Sequence, residues 1–482
     1  MTDELSAEDE AFYEQLQSMV GLTGSPKTAR DPVNQSTIRN WCDAMSEANP
    51  YFTDAEAATA SLHGQVVAPP AALNVWTMPG LFMGHQPGRD TKEPAAITYN
   101  ALAAAGFRGV VAVNSDQVYT RYLRLGDVLT GTAKLVDVSP QKKTGLGVGH
   151  FVTTETEYTD QNGDHVGSLF FRVLKFKPGT GRKKPVDAKR QALIDAGLDP
   201  DEVMPEQPRR PRPLPQWNQD QAWHWEGLRQ RELRIQRFTD DGTLMHPPAN
   251  SNPNTHSLEY DYIVASGRAT LYSYTVVHYP QVPAFDYPNI VGLVELEEGV
   301  RLISNIVGVT PEQLSIGMPL QVEYIDTHDD VTLHQFRPAD PPRRTTTLKR
   351  GEVQVGDELP IKVIPVTTRL VVSGALATRD FQDVHHDRDA ALMKGSKDIF
   401  MNILTSTGLT NAWLGDWAGP DALFKKVVIG LGAPNYPGDL MTMSGSVTEV
   451  DADGTVTVGY KGVNKLGNHI TGTAEILLPK GA

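Results

Sequence analysis

Leu125-Gly-Asp-Val-Leu-Thr-Gly-Thr-Ala-Lys-Leu-Val-Asp-Val138 and Pro437-Gly-Asp-Leu-Met-Thr-Met-Ser-Gly-Ser-Val-Thr-Glu-Val450 follow one pattern. Each stretch begins with a Gly-Asp turn and continues as a strand of alternating residues. A second turn recurs further along in the same order, as Asn162-Gly-Asp-His-Val-Gly in the first copy and Leu466-Gly-Asn-His-Ile-Thr-Gly in the second. Because two turns recur in order over a long stretch, we predict duplication of a whole domain rather than a short-period solenoid.

Each copy is predicted to consist of a helix followed by three or four strands. Ser36–Met45 predicts a helix in the first copy, with Ser36 as its N-cap. Asp398–Leu414 is the longest helical candidate of the second copy. A helix buried against a strongly bent antiparallel sheet satisfies this order, so the predicted class is α+β.

Two proline-rich stretches divide the chain into blocks. The first runs from Pro178 to about Gln216, and the second begins at Ala339-Asp-Pro-Pro. High proline density opposes both helix and central strand. We therefore predict blocks at 1–178, 217–338 and 346–482, with a linker at 179–216.

Composition excludes several classes of protein. The 482 residues carry 44 Lys and Arg against 58 Asp and Glu, a net charge of −14, which disfavours nucleic acid and anionic membranes. The N-terminus is acidic and no apolar run reaches the roughly 20 residues of a membrane span, so we expect a cytoplasmic protein. Cys42 is the only cysteine, which excludes an intramolecular disulfide and a multi-cysteine zinc site.

One motif in the third block carries candidate chemistry. Ala377-Thr-Arg-Asp-Phe-Gln-Asp-Val-His-His-Asp387 places Asp380 five residues before His385. This spacing resembles the hydratase motif of the MaoC-like hot-dog family, although Asp383-Val384 replaces the family's Asn-Pro turn. Tyr436-Pro-Gly-Asp is similar to the family's Pro-Gly-Asp turn. The resemblance implies two hot-dog domains, of which the third block is the hydratase.

The resemblance extends to the actinobacterial steroid side-chain enoyl-CoA hydratases. Lys394-Gly-Ser-Lys-Asp-Ile-Phe and Asp416-Trp-Ala-Gly-Pro resemble their small subunit, and the segment from His63 to Gly80 resembles their large subunit. The chain is therefore expected to be a natural fusion of both subunits. The implied substrate is an α,β-unsaturated acyl-CoA, with a steroid side chain as the acyl group.

Hydration of a C=C bond assigns roles to these residues. A base must take a proton from water, a proton must reach the α-carbon, and the thioester oxygen needs fixed hydrogen-bond donors. We assign water activation to Asp380 and water orientation to His385. The resemblance also implies an oxyanion donor, the backbone N–H at the start of the central helix, and the matching position here is Asn402. The family's His-Gly pair reads Met401-Asn402 in this chain. We expect neither a metal nor another cofactor, since coenzyme A is part of the substrate.

The first block is expected to lack activity. Its Asn49-Pro50 turn aligns Glu47 with Asp380 and Phe52 with His385, and phenylalanine cannot transfer a proton. Its helix start, Ala68-Pro-Pro, lacks the N–H groups of two prolines.

The first block is also longer than the third between its shared motifs. The interval from Glu47 to Gly126 is 79 residues, against 58 from Asp380 to Gly438. The additional residues include Trp76, Met78 and Phe82, which we predict to widen an acyl pocket. A surface loop packed on its own domain is the alternative.

The middle block resembles the OB-fold domain that accompanies acyl-CoA thiolases and hydratases. That family carries four zinc-ribbon cysteines, whose positions here are Phe238, Asp241, Asn252 and Thr255, so the ribbon is expected to be degenerate and metal-free. His246 and His256 are expected on the surface. Residues 259–338 hold 11 Asp and Glu against 3 Arg and no Lys, which disfavours nucleic acid. The resemblance implies docking of a thiolase-like aldolase.

Two other functions remain open from the sequence. One fold hosts several reactions, so a hot-dog thioesterase is an enzyme alternative. A non-catalytic scaffold that binds acyl-CoA and a thiolase-like partner is the alternative from another class. Whichever of the three functions applies, we expect a homo-oligomer, with a dimer favoured, and no membrane association.

Overall fold

The structure is a computed structural model that describes residues 7–81, 93–181, 195–196, 212–216, 218–328 and 330–480. Its α-helices, in chain order, are α1 Ala7–Gln17, α2 Gln35–Met45, α3 Ala55–Ala60, α4 Pro94–Ala104, α5 Ala222–Arg229, α6 Thr368–Ala377, α7 Arg388–Met393 and α8 Ile403–Ala418. Its strands are β1 Lys27–Thr28, β2 Gly109–Tyr119, β3 Thr130–Val138, β4 Lys142–Lys143, β5 Val148–Thr159, β6 His165–Lys177, β7 Arg234–Phe238, β8 Leu244–Met245, β9 Tyr260–Val264, β10 Arg268–Val277, β11 Asn289–Leu296, β12 Arg301–Asn305, β13 Pro319–His328, β14 Val331–Pro338, β15 Lys362–Val366, β16 Leu423–Leu431, β17 Asp439–Val450, β18 Thr455–Asn464 and β19 Gly467–Leu477.

The chain forms two compact units. One contains both predicted copies, and the other contains the middle block. The predicted linker at 179–216 lies mostly outside the described residues, so the exact domain boundaries stay predictions. None of the described helices is long and apolar enough to cross a membrane.

The first unit is built on one continuous antiparallel sheet. Its strand order runs β1-β3-β5-β6-β2-β16-β19-β18-β17-β15. The two copies therefore appear in mirrored order, and they join where β2 pairs with β16, with Asp116 opposite Val428. This symmetric arrangement confirms the predicted duplication and the pair of hot-dog folds.

The repeated Gly-Asp turns have the same local structure in both copies. Gly126 and Gly438 each have a φ of +89°, in the left-handed region that favours glycine. The carboxylate after each glycine then closes the turn. Asp127 accepts a hydrogen bond from the N–H of Arg124 at 2.8 Å, and Asp439 accepts one from the N–H of Tyr436 at 2.8 Å.

The two predicted helices exist with different starting points. Helix α2 is capped by the side chain of Asn34, which accepts a hydrogen bond from the N–H of Thr37, instead of by Ser36. Helix α8 begins at Ile403 and not at Asp398, and the Asp398 carboxylate instead pairs with Arg388 at the start of α7. Almost every side chain of α8 is buried, as expected for the central helix of a hot-dog fold.

The second unit contains a small three-stranded sheet, ordered β8-β7-β9, and a five-stranded sheet, ordered β12-β11-β10-β13-β14. Residues Ile306 and Phe336 form a parallel bridge after β12, so the five-stranded sheet nearly closes into a barrel. This barrel confirms the predicted OB-fold.

Hydrogen bonds hold together the loops where a zinc ribbon would bind its metal. Asn252, which is fully buried, donates to Asp240 at 3.1 Å and to Asp241 at 2.8 Å, and Thr255 donates to Asp240. Phe238 is fully buried in place of a ligand. In the described part of the chain, no group of three or more His, Cys, Asp or Glu side chains is arranged to hold a metal ion.

One expectation for this unit was wrong. His246 was expected on the surface, but its ring packs 5.3 Å from that of His224 and 6.0 Å from that of His334. Burial lowers the pKa of His246 to about 3, so the ring stays neutral near pH 7. His256 is exposed, as predicted.

Candidate active site

A sharp turn after helix α6 sets the position of Asp380. The residue before it, Arg379, has a φ of +58°, and the N–H of Asp380 donates to the carbonyl of Ala375 at 3.0 Å. A short 3₁₀ turn at Asp383–His385 then brings His385 back toward the carboxylate. The five-residue spacing seen in the sequence is the length of this turn.

The Asp380 carboxylate and the His385 imidazole face each other. Asp380 Oδ2 lies 3.5 Å from His385 Nε2, and both side chains are largely buried. His385 Nδ1 lies 2.7 Å from the carbonyl oxygen of Phe400, which can only accept a hydrogen bond, so Nδ1 carries the proton. Nε2 of the neutral ring is then an acceptor, and one water can donate to Nε2 and to the carboxylate at once.

Burial keeps His385 in this neutral form. The pKa of His385 is lowered, mainly by loss of solvation, while the nearby Asp380 carboxylate and the Phe400 carbonyl partly oppose the shift. Because the shift is downward, the ring is unprotonated at neutral pH and can accept a hydrogen bond from water.

Asn402 joins this pair to the start of helix α8. Its side-chain oxygen accepts from the N–H of Thr405 at 2.7 Å and so caps the helix. Its amide nitrogen donates to Asp380 Oδ2 at 3.1 Å and to the Thr378 hydroxyl at 2.9 Å. Asn402 therefore fixes the rotamer of the carboxylate, a contact that the sequence did not predict.

The first turn of α8 also offers backbone donors. An α-helix leaves its first N–H groups without intrahelical partners, and its N-terminus favours negative charge. Asn402, Ile403 and Leu404 all line the cavity that contains Asp380. The predicted oxyanion position therefore lies beside the acid–imidazole pair.

A second buried imidazole, that of His469, contacts helix α8 at Ser406. His469 Nδ1 lies 2.7 Å from the carbonyl of Ala433, and its Nε2 lies 2.8 Å from the Ser406 hydroxyl. Sequence analysis missed this pair, although His469 belongs to the turn that recurs in both copies. The counterpart of His469 in the first copy, His165, bonds Thr120 in a more exposed position.

A cavity of about 450 Å³ opens from the pair into the first copy. Its lining from the first copy includes Met78, as predicted. Trp76 differs from the prediction: it is 4% exposed in the hydrophobic core, and it is not among the lining side chains. Phe82 lies outside the described residues. Glu93, Ala95 and Tyr99, from the longer interval of this copy, line the cavity, which favours the pocket interpretation over a surface loop.

The corresponding place in the first copy is closed. Ser46 has a φ of +54° like Arg379, and the N–H of Glu47 donates to the carbonyl of Cys42 as that of Asp380 does to Ala375. Glu47 Oε1 then accepts from the N–H of Asn49 at 3.0 Å, and burial raises the pKa of Glu47. Phe52, at the histidine position, is 3% exposed in the core.

Two family models match the chain. The model described as FAS1-like, dehydratase domain region, matches residues 18–169, and the model described as ChsH2, C-terminal OB-fold domain, matches residues 262–324. The first match lies in the N-terminal copy and the second in the barrel.

Both subunits of one enzyme from Mycobacterium tuberculosis are similar to this chain. The alpha subunit of 3-oxo-4,17-pregnadiene-20-carboxyl-CoA hydratase is 40% identical over 314 residues, which is 65% of this chain and 93% of the relative. The beta subunit is 54% identical over 122 residues, which is 25% of this chain and 94% of the relative. One chain thus contains sequence similar to two separate subunits, as the fusion prediction requires.

Two solved structures are also similar. A MaoC-like dehydratase is 14% identical with a TM-score of 0.51, over 96% of this chain and 99% of its own length, so it shares the fold. A chain of an Ltp2-ChsH2(DUF35) aldolase is 42% identical over 26% of this chain and 98% of its own length, with a TM-score of 0.25.

The duplicated hot-dog fold, with an acid–imidazole pair beside a helix N-terminus, defines a hydratase of the double hot-dog class. The relatives identify the family within that class. The chain belongs to the MaoC-like enoyl-CoA hydratases, which confirms the predicted enzyme.

Proposed function

We propose that Asp380 and His385 add water across the C=C bond of an α,β-unsaturated acyl-CoA. The observation that supports this most is the separation of 3.5 Å between two hydrogen-bond acceptors, Asp380 Oδ2 and His385 Nε2, at the end of a cavity. A water donating to both points its oxygen lone pairs away from them. Such a water is held ready to attack an alkene carbon.

In the proposed reaction, Asp380 takes a proton from the water while the water oxygen bonds to the β-carbon. His385 holds the water through Nε2 and keeps its own proton on Nδ1, which donates to the Phe400 carbonyl. Electron density moves to the thioester oxygen, and the proton taken up by Asp380 then passes to the α-carbon to complete the addition. The atoms balance with water as the only co-reactant.

The developing charge on the thioester oxygen needs donors that are fixed in advance. We propose the N–H groups at the start of α8, with the Asn402 backbone as the position that the sequence indicated. The Asn402 side chain caps the helix through the N–H of Thr405, and Asn402, Ile403 and Leu404 line the cavity. Oriented N–H groups in a site that excludes water stabilise an oxyanion without reorganisation.

We propose a steroid side-chain enoyl-CoA as the substrate. The relative in Mycobacterium tuberculosis is named for a 3-oxo-4,17-pregnadiene-20-carboxyl-CoA, and its two subunits correspond to one chain here. The cavity of about 450 Å³ is in the size range of small-molecule sites, and many of its side chains are apolar. The first copy supplies much of that lining, so it is proposed to hold the acyl group.

Mass spectrometry of a panel of enoyl-CoAs tests this proposal. The panel runs from short linear thioesters to steroid-linked ones, each incubated with the purified protein. A gain of one water mass on the steroid thioester is expected. Release of free coenzyme A would support the thioesterase alternative, and an unchanged panel with tight acyl-CoA binding would support the scaffold alternative.

We propose that the reaction needs no metal. The degenerate ribbon contains no cysteine, and a hydrogen-bond network joins Asn252 to Asp240 and Asp241 instead. Water activation by a carboxylate and an imidazole supplies the proton transfers without a Lewis acid. Stoichiometric zinc in the active protein, found by elemental analysis, would contradict this proposal.

We propose that residues 217–338 dock a thiolase-like aldolase. This unit has its own hydrophobic core, matches a ChsH2 OB-fold model, and carries an acidic barrel. Hydration at a steroid ring gives a tertiary alcohol, which cannot be oxidised to a ketone, so retro-aldol cleavage is the available next step. A chain lacking residues 217–338 is expected to keep hydration and to lose co-purification with the aldolase. Undiminished affinity for the aldolase would show that docking lies elsewhere.

A further inference from the structure

An ion pair lines the acyl cavity at one edge of the sheet. Lys27, on the edge strand β1, pairs with Glu93, the residue before helix α4. Their side chains are 24% and 22% exposed, and both line the cavity. Small or apolar side chains surround the space between this pair and the reacting end: Ala112, Ala133, Leu169, Phe171 and Val173.

The sheet register places Gly131 beside this pair. Gly131 on β3 lies opposite Lys27 on one side and opposite Tyr158 on the other, and it also lines the cavity. A Cβ at Gly131 would lie 3.0 Å from the Tyr158 ring and 3.3 Å from the Thr156 methyl group. Glycine at this position therefore leaves room for the Tyr158 ring on the cavity wall next to Lys27.

The stretch of sheet that lines the cavity is wide enough for a long acyl group. The cavity crosses β2, β6, β5 and β3, and three strand spacings of roughly 4.8 Å cover about 14 Å. A four-carbon acyl chain, with C–C bonds of about 1.5 Å, spans less than half of that distance. Only an acyl group much longer than four carbons would cross this width and place an atom against Lys27.

An apolar ligand that filled the cavity would strip water from this pair. Desolvation of an ion pair is costly unless new polar contacts replace the lost water. An ammonium group carries three N–H donors and no acceptor, so it can bond Glu93 and a further oxygen together. Any ligand that fills the cavity is therefore favoured if it presents an acceptor at its far end.

We propose that Lys27 and Glu93 form a subsite for a ketone oxygen at the end of the acyl group remote from the thioester. This inference rests on the proposed hydratase function, and it names the feature by which the same site selects its substrate. Lys27 donates to the ketone, and Glu93 holds the ammonium in place.

The test compares two enoyl-CoA thioesters with one fused-ring skeleton, with and without the far ketone. In the wild-type protein the ketone is expected to raise kcat/KM about tenfold or more, the usual range for a hydrogen bond to a charged donor. Lys27→Met is expected to bring the ratio of kcat/KM for the ketone thioester to kcat/KM for the ketone-free thioester close to one. Lys27→Met alone leaves the Glu93 carboxylate without the Lys27 ammonium. The double variant with Glu93→Gln removes that charge and is expected to give the same ratio as Lys27→Met.

Lys134→Met is the matched control, because Lys134 is exposed on the neighbouring strand, and it should keep the wild-type ratio. A wild-type ratio near one, or an unchanged ratio in the double variant, overturns the proposed subsite and leaves the proposed hydratase function standing. Preference for a far alcohol over the ketone overturns the choice of ligand. If neither steroid thioester is hydrated while but-2-enoyl-CoA is, the proposed substrate fails and the subsite with it.

Discussion

Asp380 and Glu47 occupy equivalent places in two copies of one fold, yet Asp380 lines the acyl cavity and Glu47 does not. Both follow a residue with a left-handed backbone, Arg379 or Ser46, and both donate to a carbonyl five residues earlier. Asp380 then points to His385 across 3.5 Å, whereas Glu47 bonds its own turn at Asn49. The backbone of a site can therefore persist after its chemistry has been lost.

The turns that hold Glu47 and Asp380 also differ in their contacts with the opposite copy. The loop after α8 contacts the N-terminal turn: Asn49 donates to the carbonyl of Pro420, and Tyr51 donates to Asp421 at 2.6 Å. Near Asp380 the opposite copy instead contributes Met78 and Pro79 to an open cavity. One turn has become an interface between copies, and the other has kept space for a ligand.

The largest expected effect contrasts the two acidic residues directly. Asp380→Asn or His385→Ala should lower the hydration rate by about 10²–10⁴-fold, the scale of a general acid–base group. Glu47→Gln should change it by less than about twofold. Stopped-flow or absorbance assays of enoyl-CoA hydration measure all three variants. Equal losses at Glu47 and Asp380 would refute the asymmetry.

Asn402 offers a smaller test of why the C-terminal copy is active. Asn402→Ser and Asn402→Asp both keep a helix-capping oxygen but lose the amide donor to Asp380. The serine variant is expected to lose about tenfold in kcat, close to one hydrogen bond to a charged group. The aspartate variant should lose about 10²-fold, because two carboxylates then repel each other. KM is expected to change little in either.

Urea unfolding separates positioning from folding in these variants. The serine variant should unfold near the wild-type midpoint, because the cap is retained. A loss of stability in proportion to the loss of activity would show instead that Asn402 acts only through the structure of α8.

The sequence predicted the arrangement of the copies better than the geometry within each site. The recurring turns at Gly126 and Gly438 revealed the duplication because a positive φ restricts the residue type at each. Asp380 and His385 were found because they are local in sequence. The contacts of Asn402 with Asp380, and of Lys27 with Glu93, join residues 22 and 66 positions apart. Such contacts follow from packing, which no local pattern encodes.

The pH dependence of hydration should report the buried imidazole of the active copy, since its counterpart Phe52 does not titrate. Activity needs neutral His385, and its pKa is lowered, so kcat/KM should stay level as pH falls through 6.5 and decline only below. A histidine with an ordinary pKa of about 6.5 would lose roughly fourfold in kcat/KM at pH 6. We expect a smaller loss than this between pH 7.5 and pH 6, because the pKa of His385 is lowered. A fourfold loss would show that burial does not hold His385 neutral.

The smallest expected effect concerns the closed turn of the first copy. Tyr51 donates to Asp421, and Asp421 accepts a further hydrogen bond from the Thr347 hydroxyl at 3.1 Å. Tyr51→Phe keeps the ring and removes one hydrogen bond, so the free energy of unfolding should fall by about 1 kcal/mol. Hydration should change by less than about twofold, because the hydroxyl contacts the loop after α8 and not the cavity.

Tyr13→Phe is the matched control, because the Tyr13 hydroxyl accepts a hydrogen bond from the exposed Gln17 side chain, and it should unfold at the wild-type urea midpoint. The two outcomes for Tyr51 separate two roles of the first copy. A stability loss with full activity means that the turn now serves to join the copies. A loss of activity with unchanged stability would mean that the closed turn still acts on the substrate, and the division between a binding copy and a hydrating copy would fail.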